Sequence, residues 1–185
     1  MSSSVSRPFR TITPMKRLIN ITALALWVTS AGAQPVFAQT LPAATVASAA
    51  ISLPTQFDPK RDAAQDVATA TALAKAQGKR VLVDVGGQWC PWCHILDRFI
   101  AANADVQQLQ GAHYVWVKVN YSPDNKNQAL LARWPKVKGY PHLFVLDADG
   151  KLLQSQDTGA LEAADSYDKP KVLAFLKKYA FGAGS

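Results

Sequence analysis

Cys90 and Cys93 are the only cysteines in the chain, and just two residues, Pro91 and Trp92, separate them. They lie in Gly87-Gln88-Trp89-Cys90-Pro91-Trp92-Cys93-His94, between a strand-like run, Lys79 to Val85, and a helically periodic one, Ile95 to Ile100. Strand, tight turn and helix mouth together are an arrangement that acidifies a thiol. The first turn of a helix offers unpaired N–H groups and the positive end of the macrodipole. There a cysteine pKa of about 8.5 falls by one to several units. Cys90 is expected to be exposed at the turn as the nucleophile, with Cys93 one helical turn on as the resolving thiol. A bridge that closes so small a loop removes little unfolded-chain entropy, so it serves poorly as a staple and well as a reversible redox couple.

The elements that must position this pair can be read outward from it. Val81 to Val85 is apolar enough to be buried on both faces of a sheet, except for Asp84. A buried, unpaired carboxylate holds its proton. Six residues ahead of Cys90, Asp84 is placed to exchange that proton with Cys93. Trp89 and Trp92 flank the site, with Trp89 expected buried and Trp92 exposed as part of a platform for partner proteins. His94 falls four residues after Cys90 on one helical face. It is read as a solvated surface residue, although as a cation it would favour the thiolate.

Before the dithiol, Phe57 to Gln77 reads as a helix with Asp58 as its cap, Pro59 in its first turn and Gly78 as its stop. Ala64, Val67, Ala68, Thr71 and Ala72 or Ala74 recur at helical spacing as its buried face. After the dithiol come a helix to about Ala102, a short helix Asp105 to Gln110 ended by Gly111, and a strand His113 to Val119. Next are a turn Ser122 to Asn125, a helix Lys126 to Trp134, and a strand His142 to Leu146. Asp147-Ala148-Asp149-Gly150 turns into a strand Lys151 to Gln156, and Pro170 to Tyr179 is an amphipathic closing helix. A βαβ unit followed by ββα implies an α/β fold, a central mixed sheet of four to five strands flanked by helices.

The chain opens differently. Lys16-Arg17, an apolar run Leu18 to Val28, and the small-residue sites Ala31-Gly32-Ala33 and Val36-Phe37-Ala38 have the form of a secretory signal peptide. Residues 1–38 are thus expected to be removed before Gln34 or Gln39, with Met15 a possible true start. The apolar run is too short for a comfortable membrane span, so no stable insertion is expected after cleavage. Residues 39–56, rich in Ala, Thr, Ser and Pro, read as a flexible linker, and residues 57–181 as one domain. The 20 basic and 13 acidic residues suggest a basic protein, but residues 1–38 hold four of the basic ones and no acidic one. The remainder has 16 basic against 13 acidic residues, a net +3 that gives no warrant for nucleic-acid binding.

Val81-Leu82-Val83-Asp84 leading to a Trp-Cys-x-x-Cys turn, the strand end Lys118-Val119-Asn120 and Gly139-Tyr140-Pro141 before the third strand together resemble the thioredoxin superfamily. The similarity covers about residues 80–181. It implies a thioredoxin-like fold, Cys90 attacking, Cys93 resolving, Asp84 as buried proton acceptor and Pro141 as a cis-proline beside the dithiol. Substrate contacts would fall on Trp89, Pro91, Trp92 and Tyr140, whose backbone would pair with an extended segment of the substrate. The resemblance implies no cofactor and no metal. It implies protein disulfides as substrates and a membrane or soluble thiol as electron donor, in the periplasm given the signal peptide. Pro91-Trp92 departs from the Gly-Pro of ordinary thioredoxins and leaves the potential open, with reduction preferred over oxidation because Trp92 adds no positive charge beside Cys90. Two other chemistries share the motif: c-type haem attachment through Cys-x-x-Cys-His, with His113 and His142 as possible second ligands, and a Cu(I) or Zn carrier using both thiolates and His94.

Overall fold

The computed structural model describes residues 52–182. The signal peptide and most of the linker lie outside the described residues. Four strands form the main sheet: β1 (Arg80–Gly86), β2 (Tyr114–Asn120), β3 (His142–Leu146) and β4 (Leu152–Asp157), in the order β2-β1-β3-β4. β1 runs parallel to β2, β3 is antiparallel to β1, and β4 is antiparallel to β3. Among the described residues no helix is long and apolar enough to cross a membrane.

Strand alternation divides the core. Val81, Val83 and Val85 of β1, Val115, Val117 and Val119 of β2, and Phe144 and Leu146 of β3 pack on one side with helix α1 (Ala63–Gln77). Each such valine, fully withdrawn from water, contributes about 1.5–3 kcal/mol. Leu82, Tyr114, Leu143 and Val145 face the other side. There they meet α2 (Pro91–Ala102), α3 (Ala104–His113) and α5 (Lys169–Lys178) through Leu96, Phe99, Val106, Val172, Phe175 and Leu176. This second layer presses the first turn of α2 against the end of β1.

Several boundaries differ from the sequence expectation for local reasons. α1 starts at Ala63, not Phe57, because Asp62 rather than Asp58 accepts the Gln65 amide as its cap. Asp58 instead closes a separate turn by accepting the Lys60 amide. The buried face of α1 is Ala63, Asp66, Val67, Ala70 and Ala74; Ala64 and Ala68 are exposed. Gly78, with φ of 62°, ends the helix as expected. α3 continues through Gly111 to His113, since one glycine costs a helix only about 1 kcal/mol.

The helix expected over Lys126 to Trp134 shrinks to α4 (Gln128–Leu131). Asn127 has a left-handed backbone, φ 46°, and uses its side chain on the Asn120 carbonyl at 2.7 Å instead of capping. Beyond Leu131 the amides of Arg133 and Trp134 reach back only three residues, and Pro135 follows. Between β4 and α5 the chain makes a 3₁₀ turn, Thr158–Leu161, and a small hairpin, β5 (Glu162–Ala163) with β6 (Ser166–Tyr167), that periodicity did not reveal. Of the segment read as linker, Leu53 packs against the core on the α1 side.

If Asp62 is the cap, Asp62→Ala is expected to lower stability by about 1 kcal/mol in urea titration, and Asp62→Asn to recover most of it.

Candidate functional site

Cys90 is the N-cap of α2 and Pro91 its first helical residue, a position where the missing amide is no loss. The Cys90 sulfur accepts the Cys93 backbone N–H at 3.1 Å, so the cap that begins the helix is itself the candidate nucleophile. Cys90 and Cys93 form a disulfide with a Cα–Cα distance of 5.3 Å. An amide aimed at a cap sulfur, at the positive end of a 12-residue helix, favours the thiolate once the bond opens. The expected exposure of Cys90 is corrected: in the disulfide form it is 2% exposed and Cys93 is fully buried.

The burial has an identifiable source. Phe57, itself buried, packs with the two cysteines, and Trp92 and Tyr140 close over the group. Gly86 permits the approach from below. A Cβ there would stand 2.4 Å from the Cys93 sulfur and 2.9 Å from the Phe57 ring, too close for any side chain.

Asp84 lies two residues before Gly86 on the same face of β1, so about 7 Å further along the strand beneath the dithiol. It is fully buried, and it is not unpaired as the sequence suggested: Lys118 Nζ donates to its Oδ2 at 2.9 Å. The parallel register sets Lys118 of β2 directly beside Asp84. Lys118 also donates to Asp97 of α2 at 2.8 Å, and its ammonium lies 4.2 Å from the centre of the Phe57 ring. Asp84 Oδ1 has no hydrogen-bond partner among the described residues.

One ammonium thus serves two carboxylates, and the balance falls unevenly. Burial pushes the Asp84 pKa above its ordinary 3.8, and the attraction of Lys118 only partly offsets this. Burial also works against the Lys118 charge, but Asp84 and Asp97 outweigh it and hold the ammonium above its ordinary 10.5. Asp84, one oxygen of which has no partner among the described residues, thus holds a proton more readily than an ordinary aspartate.

The two tryptophans exchange the roles expected of them. Trp89 is 52% exposed, its indole N–H donating to the Tyr121 carbonyl at 2.7 Å. Trp92 is half-buried, edge-on to Tyr167 at 5.7 Å between ring centres. The small hairpin after β4 delivers Tyr167, and no pattern before the dithiol announces it. Pro91 is exposed, and Tyr140 is half-buried between Trp89 and Tyr121 at 5.5 and 4.8 Å. The Tyr140–Pro141 bond is cis, and Thr158 donates to the Pro141 carbonyl at 2.6 Å.

The histidines take other positions. His94 shares a hydrogen bond with the Gln88 carbonyl at 2.9 Å. His113 ends α3, while His142 is buried against Ser155 at 2.8 Å and Phe144, with its pKa pushed down by that burial.

Sequence reading missed Lys118, Asp97 and Phe57 as parts of the site. A signal for Lys118 was available: it is a lone cation inside Tyr114-Val115-Trp116-Val117-Lys118-Val119, in a strand that pairs with the one holding a lone carboxylate. Asp97 is four residues after Cys93 and so on its helical face. Nothing in the local pattern singles out Phe57.

A mixed sheet with a disulfide at the mouth of the helix after its central strand defines a thioredoxin-type dithiol domain. Residues 62–148 match the thioredoxin-like family model, and this stretch is a thioredoxin-like domain. The chain is similar to the thiol:disulfide interchange protein DsbD of Salmonella typhi, 32% identical over 94 residues, half of this chain but 16% of that protein. It is 34% identical over 76 residues to the disulfide bond reductase DsbH of Chlamydia pneumoniae, covering 37% of this chain and 45% of that one. Among solved structures, a disulphide isomerase from Xylella fastidiosa Temecula1 superposes with a TM-score of 0.56 at 27% identity, over 70% of this chain and 98% of its own. The chain therefore spans less than half the length of these two curated relatives.

Removing the ammonium tests the charge cluster. Lys118→Met leaves the buried Asp84 charge without its partner and is expected to cost about 3–5 kcal/mol at pH 7. The folded protein then binds a proton on Asp84 more tightly than the unfolded chain does. The deficit should therefore shrink as pH falls from 7 toward the unfolded value of about 3.9. Urea titrations at pH 7 and pH 4.5 read the difference, and an equal deficit at both would contradict the assignment.

Proposed function

We propose that this protein is an exported thiol–disulfide oxidoreductase that reduces protein disulfides outside the cytoplasm. The observation that carries the reading is the cap geometry, a cysteine sulfur receiving a helix N-terminal amide while bonded to its twin three residues on. The names of the similar interchange and reductase proteins support the reaction class.

In the reduced state the Cys90 thiolate attacks one sulfur of a substrate disulfide. A Cys90–substrate disulfide forms, and the other substrate sulfur leaves as a thiolate. Cys93 loses its proton to Asp84 and attacks the Cys90 sulfur, expelling the second substrate thiol. The substrate gains two electrons and the chain ends as the Cys90–Cys93 disulfide, which a thiol donor, membrane-bound or soluble, must reduce again. Asp84 suits the proton step because its burial raises its pKa and one oxygen has no partner among the described residues.

Reduction is favoured over oxidation on electrostatic grounds. A strong oxidant draws its driving force from a very stable thiolate. Here the intervening residues carry no charge, and two carboxylates converge on the lysine beneath the pair. Tyr140, Trp89, Trp92 and Pro91 form the rim an incoming chain would meet, and Pro141 holds that rim to the dithiol. The signal peptide read in residues 1–38 supports periplasmic residence.

Two measurements check this. Cys93→Ser should accumulate a mixed disulfide with an oxidised protein substrate such as insulin, whereas Cys90→Ser should show neither adduct nor turnover. The Cys90–Cys93 potential should lie below that of the glutathione couple, and a value near the roughly −120 mV of strong periplasmic oxidases would reverse the direction.

A further inference from the structure

Beside the dithiol the surface opens into a cleft of about 460 Å³, mostly apolar, reaching from Tyr121 and Tyr140 to Trp134 and Val137. It is continuous with the reaction site, since Tyr140 both lines the cleft and packs on the Cys90–Cys93 group. The shortened α4 makes this space. Where the segment was expected to stay helical to Trp134, the chain instead turns after Leu131, and Trp134 packs against Phe144 at 4.7 Å between ring centres.

Charge sets the character of the rim. Lys126 and Lys136 line the cleft, and both are exposed. Residues 125–146 contain four cationic side chains, Lys126, Arg133, Lys136 and Lys138, and no acidic one. None of the four forms an ion pair among the described residues. The cleft lining itself holds two cations, Lys126 and Lys136, and no carboxylate, so a positive field faces a chain bound there.

We propose that the cleft selects substrates: it takes an aromatic or large aliphatic side chain near the substrate cysteine, flanked by acidic residues that pair with Lys126 and Lys136. The inference rests on the disulfide-reductase reading and names the substrate class for the same site. The chain's own leading segment is the poorer occupant, because residues 1–57 contain no Asp or Glu to meet the lysines. Apolar contact supplies the hold, and the lysines steer the encounter and reject basic sequences.

Full-length reduced protein is tested on short cysteine peptides carrying a thionitrobenzoate mixed disulfide, with Glu and Phe, Lys and Phe, or Glu and Ala beside the cysteine. Hydroxyethyl disulfide, small and neutral, serves as the reference. At about 20 mM ionic strength the Glu–Phe peptide should exceed the Lys–Phe peptide about tenfold in kcat/KM, and 0.5 M salt should largely close the gap. Replacing Phe by Ala should cost several-fold at either salt concentration. The double variant Lys126→Glu with Lys136→Glu should invert the charge preference and leave hydroxyethyl disulfide turnover unchanged. Equal rates on the three peptides, with the reference still reduced, would overturn the cleft assignment alone. Loss of hydroxyethyl disulfide turnover in the unsubstituted protein would instead overturn the reductase reading beneath it.

Discussion

The pairing of Asp84 with Lys118 in the middle of the sheet is the constraint around which this site is arranged. Two opposite charges taken from water would each be expensive alone, and even together they break about even against an apolar pair. Their presence in strands otherwise built from valine and leucine is therefore weak evidence of stabilisation and better evidence of chemistry. Asp97 makes the arrangement asymmetric. It accepts a second hydrogen bond from the ammonium and adds a carboxylate beneath the dithiol, while one Asp84 oxygen has no partner among the described residues. Phe57 touches the lysine and the cysteines together, so the cluster and the sulfurs share one compartment, whose Asp97 side reaches solvent.

Above that compartment the surface has a different character. Trp89, Tyr140 and Tyr121 form a half-exposed aromatic shelf, tied down by the Trp89 hydrogen bond to the Tyr121 carbonyl. Gly87 makes room for the indole, since a Cβ there would lie 2.3 Å from its nitrogen. The lower layer thus holds the charge cluster and the upper one an exposed aromatic shelf, with the disulfide between them. On the outer side the cysteines are covered by the half-buried Trp92 and Tyr140, whereas below lie strand backbone and Phe57.

Much of this was legible in the residues. The strand-turn-helix pattern around Cys90, the buried Asp84 and the strand after Pro141 are signals of period and composition, and these survive packing. The choice between Asp58 and Asp62 as cap was not legible, because both are good caps and only tertiary contact decides. Lys118 and Asp97 escaped for a related reason: their meaning lies in a cross-strand neighbour and a helical neighbour, not in their own segments. Trp89 and Trp92 reverse the expected burial because position beside a cysteine says nothing of which face a turn presents. The inner place went to Trp92, on α2 against Tyr167, leaving Trp89 on the loop. The hairpin that carries Tyr167 has strands of two residues each, too short for any periodicity to show.

The claim on which these relations converge is that Asp84 holds a proton more tightly than an ordinary aspartate does, despite its lysine. Its side-chain carboxyl can be followed by carbon-detected magnetic resonance through a pH titration of the disulfide form, with Asp84→Asn to assign the signal. The expected midpoint lies clearly above the ordinary 3.8, since burial outweighs the attraction of Lys118. A midpoint at or below 3.8 would mean that the lysine fully compensates the buried charge. Asp84 could not then serve as the proton acceptor for Cys93.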